Sequence, residues 1–344
     1  MIKSIVMQFE KYNSIENSYD EKFVQSIFMQ GLADVDYIVQ EKVHGANFSF
    51  ITNGKEVLTA KRTGLILENE NFYNSNIVKR RYEEKVINLF DEISRTVDLK
   101  SLIIFGEIFG GGYPHPEVKV EKEISLIQHG IYYHSHIDFY AFDLLINGKT
   151  FLEVPKTNQL FEKHGFIYAK TLYKGNLKEC LNYPNNFKTT LPKMIGLPEL
   201  NGNVCEGVVI RPIKSLFLTS GSRVLIKNKN EKWRENNRHI DDHLIKKIMK
   251  EEWSENVQFL CKEILKFISE NRLNNVLSKI GEVHSKKHYG KILGLFNKDI
   301  LEDFLKIHEE MYNELEKNEQ KEINKLMNQQ AGNLIGNYFI NIKE

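Results

Sequence analysis

One abrupt change of pattern divides this sequence and limits what it can fold into. Up to about residue 230, short runs rich in Val, Ile, Phe and Tyr alternate with turn residues, which is typical of β-strands. Helical stretches such as residues 78–94 interrupt them. Beyond "NKNEKWRENNRHIDDH" the apolar residues recur at helix spacing, and Asp241 or Asp242 is a suitable N-cap. We therefore predict an α+β protein, with an antiparallel β-rich domain over residues 1–236 and an all-α domain over residues 237–344.

The balance of charge excludes binding to nucleic acid by bulk attraction. The 344 residues carry 47 Lys plus Arg and 46 Asp plus Glu, which nearly cancel. Any contact with nucleic acid must therefore come from local clusters, of which Lys79-Arg80-Arg81 and residues 227–234 are the clearest.

The cysteines and the apolar runs indicate the compartment. Cys180, Cys205 and Cys261 have no Cys-x-x-Cys spacing, which argues against a zinc site and a disulfide framework. No apolar run approaches the roughly 20 residues of a membrane span, and the apolar part of "MIKSIVMQFEKY" is too short for a signal peptide. We expect no membrane partner and a cytoplasmic or other intracellular reducing compartment.

A candidate nucleophile lies in "VQEKVHGANFSF", residues 39–50, where Lys42 ends an apolar run. Lysines at strand ends are usually solvated. The following stretch "NFSFITNGKEVLTAKR" contains Asn53-Gly54, a strong hairpin signal that predicts a two-residue type I′ turn. That register would place Arg62 opposite Gly45, so a second cation would lie beside Lys42.

Four further charged residues extend this set. Lys227 and Lys229 in "VLIKNKN" are two apart, so they share one face of a strand. Glu206 begins the strand-like "EGVVIRP", and Glu107 lies between glycines in "FGEIFGGGY". Taken singly, each has an ordinary interpretation as a surface charge or turn residue. Together they suit phosphate chemistry, because neighbouring cations favour the neutral amine that a nucleophilic lysine needs.

Five segments in order resemble the motifs of the covalent nucleotidyltransferases. "EKVHGAN" is similar to motif I in the His-Gly form of the RNA ligase 2 family, "FGEIFGG" to motif III, "DFYAFDLL" to motif IIIa, "CEGVVIRP" to motif IV and "LIKNKN" to motif V. The stretch "FGEIFGGGYPHPEV", followed by "IQHGIYYHSHIDFYAFD", is also similar to the kinetoplastid RNA-editing ligases, and the resemblance to the family covers residues 35–234. The resemblance implies an antiparallel β-rich nucleotidyltransferase domain of the ATP-grasp-like ligase kind.

The resemblance also implies an ATP-dependent RNA ligase. Lys42 would attack the α-phosphorus of ATP to form lysyl-AMP, and the adenylyl group would pass to an RNA 5′-phosphate before a 3′-hydroxyl displaces AMP. The implied partner is RNA with 5′-phosphate and 3′-hydroxyl ends, with nicks in duplex RNA as the expected substrate.

The residues inherit their roles from the same resemblance. The implied catalytic residues are Lys42, Glu206, Lys227 and Lys229. Glu206 would hold Mg²⁺ or Mn²⁺, which needs only one or two protein carboxylates. The implied ATP-binding residues are Glu41, Lys42, Asn47, Arg62, Glu107, Phe142, Lys227 and Lys229. His44 and Arg62 are the implied RNA contacts. Two alternatives stay open: Glu107 as a cap of the glycine turn, and Phe142 as ordinary core packing.

Other functions share this chemistry. DNA ligases and mRNA capping guanylyltransferases generally carry Asp where this chain has His44, and they continue after motif V into an oligonucleotide-binding β-barrel. The helix period of the tail contradicts such a barrel. A catalytically inactive RNA-end-binding module would have lost part of the charged set, which is complete here. We expect the tail to handle RNA through local clusters, namely Arg272, Lys279 and the Ser285-Lys286-Lys287-His288 segment.

Overall fold

The computed structural model describes residues 7–121, 124–236, 240, 245–246, 249–250, 252–283 and 286–341. The chain divides into two compact units, Met1–Asn230 and Glu231–Glu344, and each is described by itself. The predicted α+β architecture is confirmed, because antiparallel sheets occupy the first unit and helices occupy the second.

The described residues of the first unit form two sheets. In chain order its strands are β1 Glu16–Asn17, β2 Tyr37–Lys42, β3 Ala46–Thr52, β4 Val57–Lys61, β5 Gly64–Leu65, β6 Leu102–Gly112, β7 His134–Ile146, β8 Thr150–Phe151, β9 Ile167–Tyr168, β10 Thr171–Gly175, β11 Gly207–Pro212 and β12 Ile226–Lys229. The order of the first sheet is β1-β12-β11-β2-β10, and that of the second is β5-β4-β3-β6-β7-β8 with β9 beside β7. Among these strands, every pairing is antiparallel except β1 with β12 and β7 with β9.

Helices cover one face of each sheet. They are α1 Glu21–Met29, α2 Ser75–Ser94, α3 Val154–Lys163, α4 Leu177–Leu181 and α5 Leu191–Met194, and α2 confirms the helix expected at 78–94. Alternate apolar side chains of the strands are buried against these helices. The other faces of the two sheets meet around Phe105 and Leu225, so polar residues on those faces are brought together between the sheets.

The hairpin register differs from the expected one. β3 pairs with β4 through Thr52 opposite Val57 and Phe48 opposite Lys61, so the loop has four residues. The Asn53 side chain accepts hydrogen bonds from the backbone N–H groups of Lys55 and Glu56, which closes this longer loop. A type I′ turn also needs a positive φ at both central residues, and of the pair only Gly54 has one. The prediction of Arg62 opposite Gly45 was therefore wrong by two residues.

Helices make up the regular structure described beyond the 3₁₀ turn at Glu231–Trp233. They are α6 Glu255–Lys266, α7 Glu270–Ile280, α8 Tyr289–Glu314 and α9 Lys317–Asn341, with a second 3₁₀ turn at Lys286–His288. Ser254 and Ser269 cap the starts of α6 and α7 with their side chains. The caps expected at Asp241 or Asp242 lie outside the described residues. Within the described part of the chain, no helix is both long and apolar enough to cross a membrane.

Arg272 does not lie on the surface of the second unit. Its side chain has a relative exposure of 0%, and it makes ion pairs with Asp299 at 2.7 Å and Asp303 at 3.0 Å. The expectation that Arg272 contacts RNA was therefore wrong. Lys279 pairs with Asp299 at 2.6 Å, and Ser285 lies outside the described residues.

Candidate active site

Two lysines face each other across a glycine in the first sheet. Lys42, Gly207 and Lys229 lie directly opposite one another on the adjacent strands β2, β11 and β12. Gly207 has a φ of +143°, and a Cβ there would lie 2.2 Å from the carbonyl oxygen of Asn228. No other residue type fits at that position without a shift of the backbone. Lys42 and Lys229 therefore lie on either side of Gly207, next to residue 206.

That residue is Glu206, which binds both lysines. Its Oε2 lies 2.6 Å from the Lys42 Nζ, and its Oε1 lies 2.9 Å from the Lys229 Nζ. Burial alone would raise the pKa of Glu206, but the Lys229 and Lys42 ammonium groups and His44 outweigh it and lower the pKa to about 2. Glu206 is therefore an anion at neutral pH. Cations outnumber it in the cluster, which suits the site to a second anion.

The second sheet contributes Glu107 through a close approach of two backbones. Gly45 donates its N–H to the Glu107 Oε2 at 2.8 Å. A Cβ on Gly45 would lie 2.4 Å from the carbonyl oxygen of Ile108, so the glycine of motif I is required by packing. Burial raises the pKa of Glu107 to about 7, with Glu206 adding to the rise, while Lys42 and the Gly45 hydrogen bond oppose it. This carboxyl group therefore changes charge close to neutral pH.

Asn47 and Arg62 lie on the same side of this sheet. Asn47 stands directly opposite Glu107 in the β3–β6 ladder. Arg62 follows β4, and its Nη1 donates to the Tyr12 carbonyl oxygen at 2.6 Å. Because the hairpin register moved by two residues, Arg62 keeps the predicted face of the strand. Burial lowers the pKa of Arg62, and the nearby Tyr12 and Glu107 oppose that change.

His44, Phe142 and Lys227 complete the set that the sequence singled out. The His44 Nδ1 lies 3.7 Å from the Glu206 Oε2, and its backbone N–H donates to the Tyr133 hydroxyl. Lys227 lies on the same face as Lys229. Phe142 occupies a bulge in β7, between the residues opposite Gly106 and Phe105, and its ring lies 4.9 Å from that of Tyr12.

Glu41 differs from the others because its side chain points to the opposite face of β2. There the carboxylate accepts hydrogen bonds from the Thr189 and Thr190 hydroxyls and from the Thr190 backbone N–H. Its carbonyl oxygen accepts from the Tyr140 hydroxyl at 3.4 Å. Only the backbone of Glu41 is therefore directed toward the region between the sheets.

Sequence reasoning missed a buried ion cluster beside the site. Asp143 pairs with Arg211 at 3.1 Å and with Arg223 at 2.8 Å, and it accepts a hydrogen bond from the Tyr12 hydroxyl. Asp143 lies in the motif segment "DFYAFDLL" and Arg211 in "CEGVVIRP". Their positions inside two motifs could have indicated that these charged residues lie near the site. The cluster joins the two sheets and the N-terminal segment.

The acidic groups of the site suit a hydrated divalent ion. No group of three or more His, Cys, Asp or Glu side chains with metal-binding geometry occurs among the residues that the structure describes. Mg²⁺ keeps several waters and takes one or two carboxylates together with substrate phosphates. Glu206 and Glu107, which influence each other electrostatically, fit that requirement.

Two family models match this chain. The RNA ligase model matches residues 35–229, and the T4 RNA ligase 2 C-terminal model matches residues 250–333. The chain therefore belongs to the RNA ligase family, and the second match agrees with the RNA ligase 2 branch. The family prediction is confirmed, and the C-terminal match disfavours the DNA ligase and capping alternatives.

Individual relatives agree with that family. The chain is 29% identical to the mitochondrial RNA-editing ligase 2 of Trypanosoma brucei brucei, over 87% of this chain and 83% of the relative. It is 28% identical to the mitochondrial RNA-editing ligase 1 of the same organism, over 83% of this chain and 73% of the relative. Among solved structures, a Naegleria gruberi RNA ligase mutant with ATP and Mn matches with a TM-score of 0.42 and 13% identity. That match covers 65% of this chain and 57% of the other chain, which is less than two thirds of its length.

Proposed function

We propose that this protein is an ATP-dependent RNA ligase that seals 5′-phosphate and 3′-hydroxyl ends, with nicks in duplex RNA as its substrate. One observation carries the proposal. Lys42 lies in register with Lys229 across a required glycine, and both amines bind Glu206. Such a cluster offers a nucleophile and the cations that a polyphosphate needs.

The proposed first step is attack by the neutral Lys42 amine on the α-phosphorus of ATP. A nitrogen–phosphorus bond forms, the bond to the β-phosphate oxygen breaks, and pyrophosphate leaves. An RNA 5′-phosphate then takes the adenylyl group and frees the lysine, and a 3′-hydroxyl finally displaces AMP. In-line transfers of this kind depend on positioning and charge neutralisation, which Lys227, Lys229 and Arg62 would supply.

Glu206 is unsuited to take the proton from Lys42. A carboxylate with a pKa of about 2 is a weak base at neutral pH. Its proposed role is electrostatic: it holds Lys42 and Lys229 before the reaction and would help to bind Mg²⁺ or Mn²⁺. When bound, the ion would neutralise charge on the phosphates. Lys42 must leave its ion pair with Glu206 before it can attack.

The remaining residues would orient the nucleotide and the RNA. Glu107 is proposed to accept from the ribose hydroxyls, Asn47 to contact the nucleotide and Phe142 to stack on the base. His44 lies next to Glu206 and is proposed to act with the RNA ends, as is Arg62. We propose that residues 1–236 carry out lysine adenylylation and that residues 237–344 handle RNA. We also propose a reducing compartment, since all three cysteines are free and buried.

A pair of substrates tests this proposal with the full-length chain. Wild type and Lys42→Ala are each given a 5′-phosphorylated nick with ATP and magnesium, and a pre-adenylylated nick without ATP. Wild type should seal both. Lys42→Ala should fail on the first and seal the second, because only the first requires lysyl-AMP. Sealing of the phosphorylated nick by Lys42→Ala, or no ATP-dependent sealing by wild type, would overturn the proposal.

A further inference from the structure

Glu41 is a buried carboxylate with an unusually complete set of donors. The residue has a relative exposure of 3%. The Thr190 backbone N–H donates to Oε2 at 2.8 Å, and the Thr190 and Thr189 hydroxyls donate to Oε2 and Oε1. Burial raises the pKa of Glu41, although these hydrogen bonds oppose the rise. Burying a carboxyl group costs free energy, so a buried glutamate next to Lys42 suggests a specific role for its side chain.

The threonines are themselves held in place. The Thr189 N–H donates to the Asn203 carbonyl oxygen at 3.0 Å. The Asn203 side chain accepts from the Tyr132 backbone N–H and donates to the Tyr132 carbonyl oxygen. Thr190 immediately precedes helix α5. Thr189 and Thr190, which donate to Glu41, therefore belong to a segment that is itself held in place by hydrogen bonds.

These side-chain contacts restrain the backbone of Glu41. The ladder between β2 and β10 ends at Gln40, so β10 does not hold Glu41 or Lys42 on that edge. The Glu41 carbonyl oxygen is instead met by the Tyr140 hydroxyl at 3.4 Å, a long hydrogen bond. Glu41 and Lys42 stay paired with β11 on the other edge, so the side-chain contacts with Thr189 and Thr190 hold Glu41 where β10 gives no support.

We propose that Thr189 and Thr190 are positioning residues that fix the Glu41–Lys42 backbone and thereby set the preference for adenine over guanine. The inference rests on the proposed function, in which ATP is the nucleotide. Adenine presents an amino group and a ring acceptor on its pairing edge, whereas guanine presents a carbonyl and a ring N–H. A fixed carbonyl at Glu41 accepts from the adenine amino group and repels the guanine carbonyl, and this discrimination is lost if the backbone can move.

Isosteric replacement of the hydroxyls tests the inference. Thr189→Val and Thr190→Val remove a donor at nearly constant volume, whereas Thr189→Ser and Thr190→Ser keep it. Each full-length protein is assayed for lysyl-nucleotide formation with ATP and with GTP. We expect each Val variant to raise KM for ATP by about tenfold and to lower the ATP-to-GTP preference by a similar factor, with kcat little changed. The Ser variants should behave like wild type.

Thr157→Val is the matched control. Thr157 is a buried threonine in α3 whose hydroxyl has no hydrogen-bond partner among the described residues, so its replacement should alter neither KM nor the preference. Glu41→Gln is the second variant, for use if a Val variant does not fold, and it should shift KM in the same direction because it replaces an acceptor with a donor.

The outcomes separate the two proposals. If wild type forms no lysyl-nucleotide with ATP, the proposed function fails. If wild type is active and the folded Val variants keep the wild-type preference, the positioning role is wrong. Equal loss with ATP and GTP, with unchanged KM, would also overturn it.

Discussion

Two buried ion clusters, one in each compact unit, have central residues of opposite charge. In the first unit, Glu206 is a single carboxylate held by Lys42 and Lys229. In the second unit, Arg272 is a single guanidinium held by Asp299 and Asp303. Both central side chains are almost fully buried, at 1% and 0% exposure.

The two clusters differ in whether they can bind a further ion. Lys42 is 15% exposed, and His44 adds a third basic group near Glu206, so the first cluster can still take up an anion. The Nη1 and Nη2 groups of Arg272 donate to Asp299, Asp303 and Asn236, while Glu235 lies 3.7 Å away. Its acidic partners come from α8 and from the segment that follows the first unit. The first arrangement suits chemistry on phosphates, and the second holds a chain segment in place.

The largest effect expected is the loss of the nucleophile. Lys42→Ala and Lys42→Arg should lower lysyl-AMP formation by more than about a thousandfold, since neither side chain offers a neutral amine. The melting temperature should stay close to that of wild type, because Lys229 still pairs with Glu206 and His44 lies beside it. Labelling with radioactive ATP and a thermal melt measure the two quantities. Labelling of either variant at the wild-type level would contradict the assignment.

Breaking the second cluster should affect stability instead. Arg272→Met removes the fully buried cation that Asp299 and Asp303 share, although these partly exposed carboxylates keep Lys279 and Lys306 as partners. This loss should lower the free energy of unfolding by about 2–3 kcal/mol. Lys279→Met is the matched control: this lysine also pairs with Asp299 but is 39% exposed, so its loss should cost less than about 1 kcal/mol. Denaturant unfolding measures both. Equal effects of the two variants would show that burial of Arg272 does not matter.

Lys229 should contribute less than Lys42 to the reaction. Lys229→Met removes one cation from the proposed phosphate site, and we expect lysyl-AMP formation to fall by about 10²–10³-fold, as for other charge-stabilising donors. Single-turnover labelling gives the rate. A smaller change than that caused by Arg81→Met, at a half-exposed arginine paired with Asp138, would exclude Lys229 from the site.

The smallest effect concerns the pH dependence of stability. The pKa of Glu107 is raised to about 7 in the folded protein, so between its ordinary value and pH 7 the folded chain holds a proton that the unfolded chain has lost. The contribution of Glu107 to stability therefore falls as pH rises through that window. Glu107→Gln has no such titration. The difference in unfolding free energy between wild type and Glu107→Gln should decrease from pH 5 to pH 7, and a constant difference would contradict the raised pKa.

The parts of the site that are local in sequence were predictable. The two-residue spacing of Lys227 and Lys229 predicts that they share one face of a strand, and both lie in β12. Motif order was sufficient to select Lys42, Glu107 and Glu206, which the fold brings together.

What depends on tertiary contacts could not be read from the sequence. Asn53-Gly54 resembled a two-residue turn, but the Asn53 side chain stabilises a four-residue loop. Arg272 resembled a surface cation because its partner Asp299 is 27 residues away. The contact between Glu41 and Thr189 spans 148 residues, and neither segment alone indicates it.

Mapping the modified residue tests the central claim most directly. The full-length protein is incubated with ATP and magnesium, digested, and searched by mass spectrometry for peptides that carry AMP. We predict AMP on Lys42 alone and no modified peptide from Lys42→Arg. AMP on Lys227, Lys229 or another lysine, with Lys42 unmodified, would contradict the assignment of the nucleophile and with it the proposed mechanism.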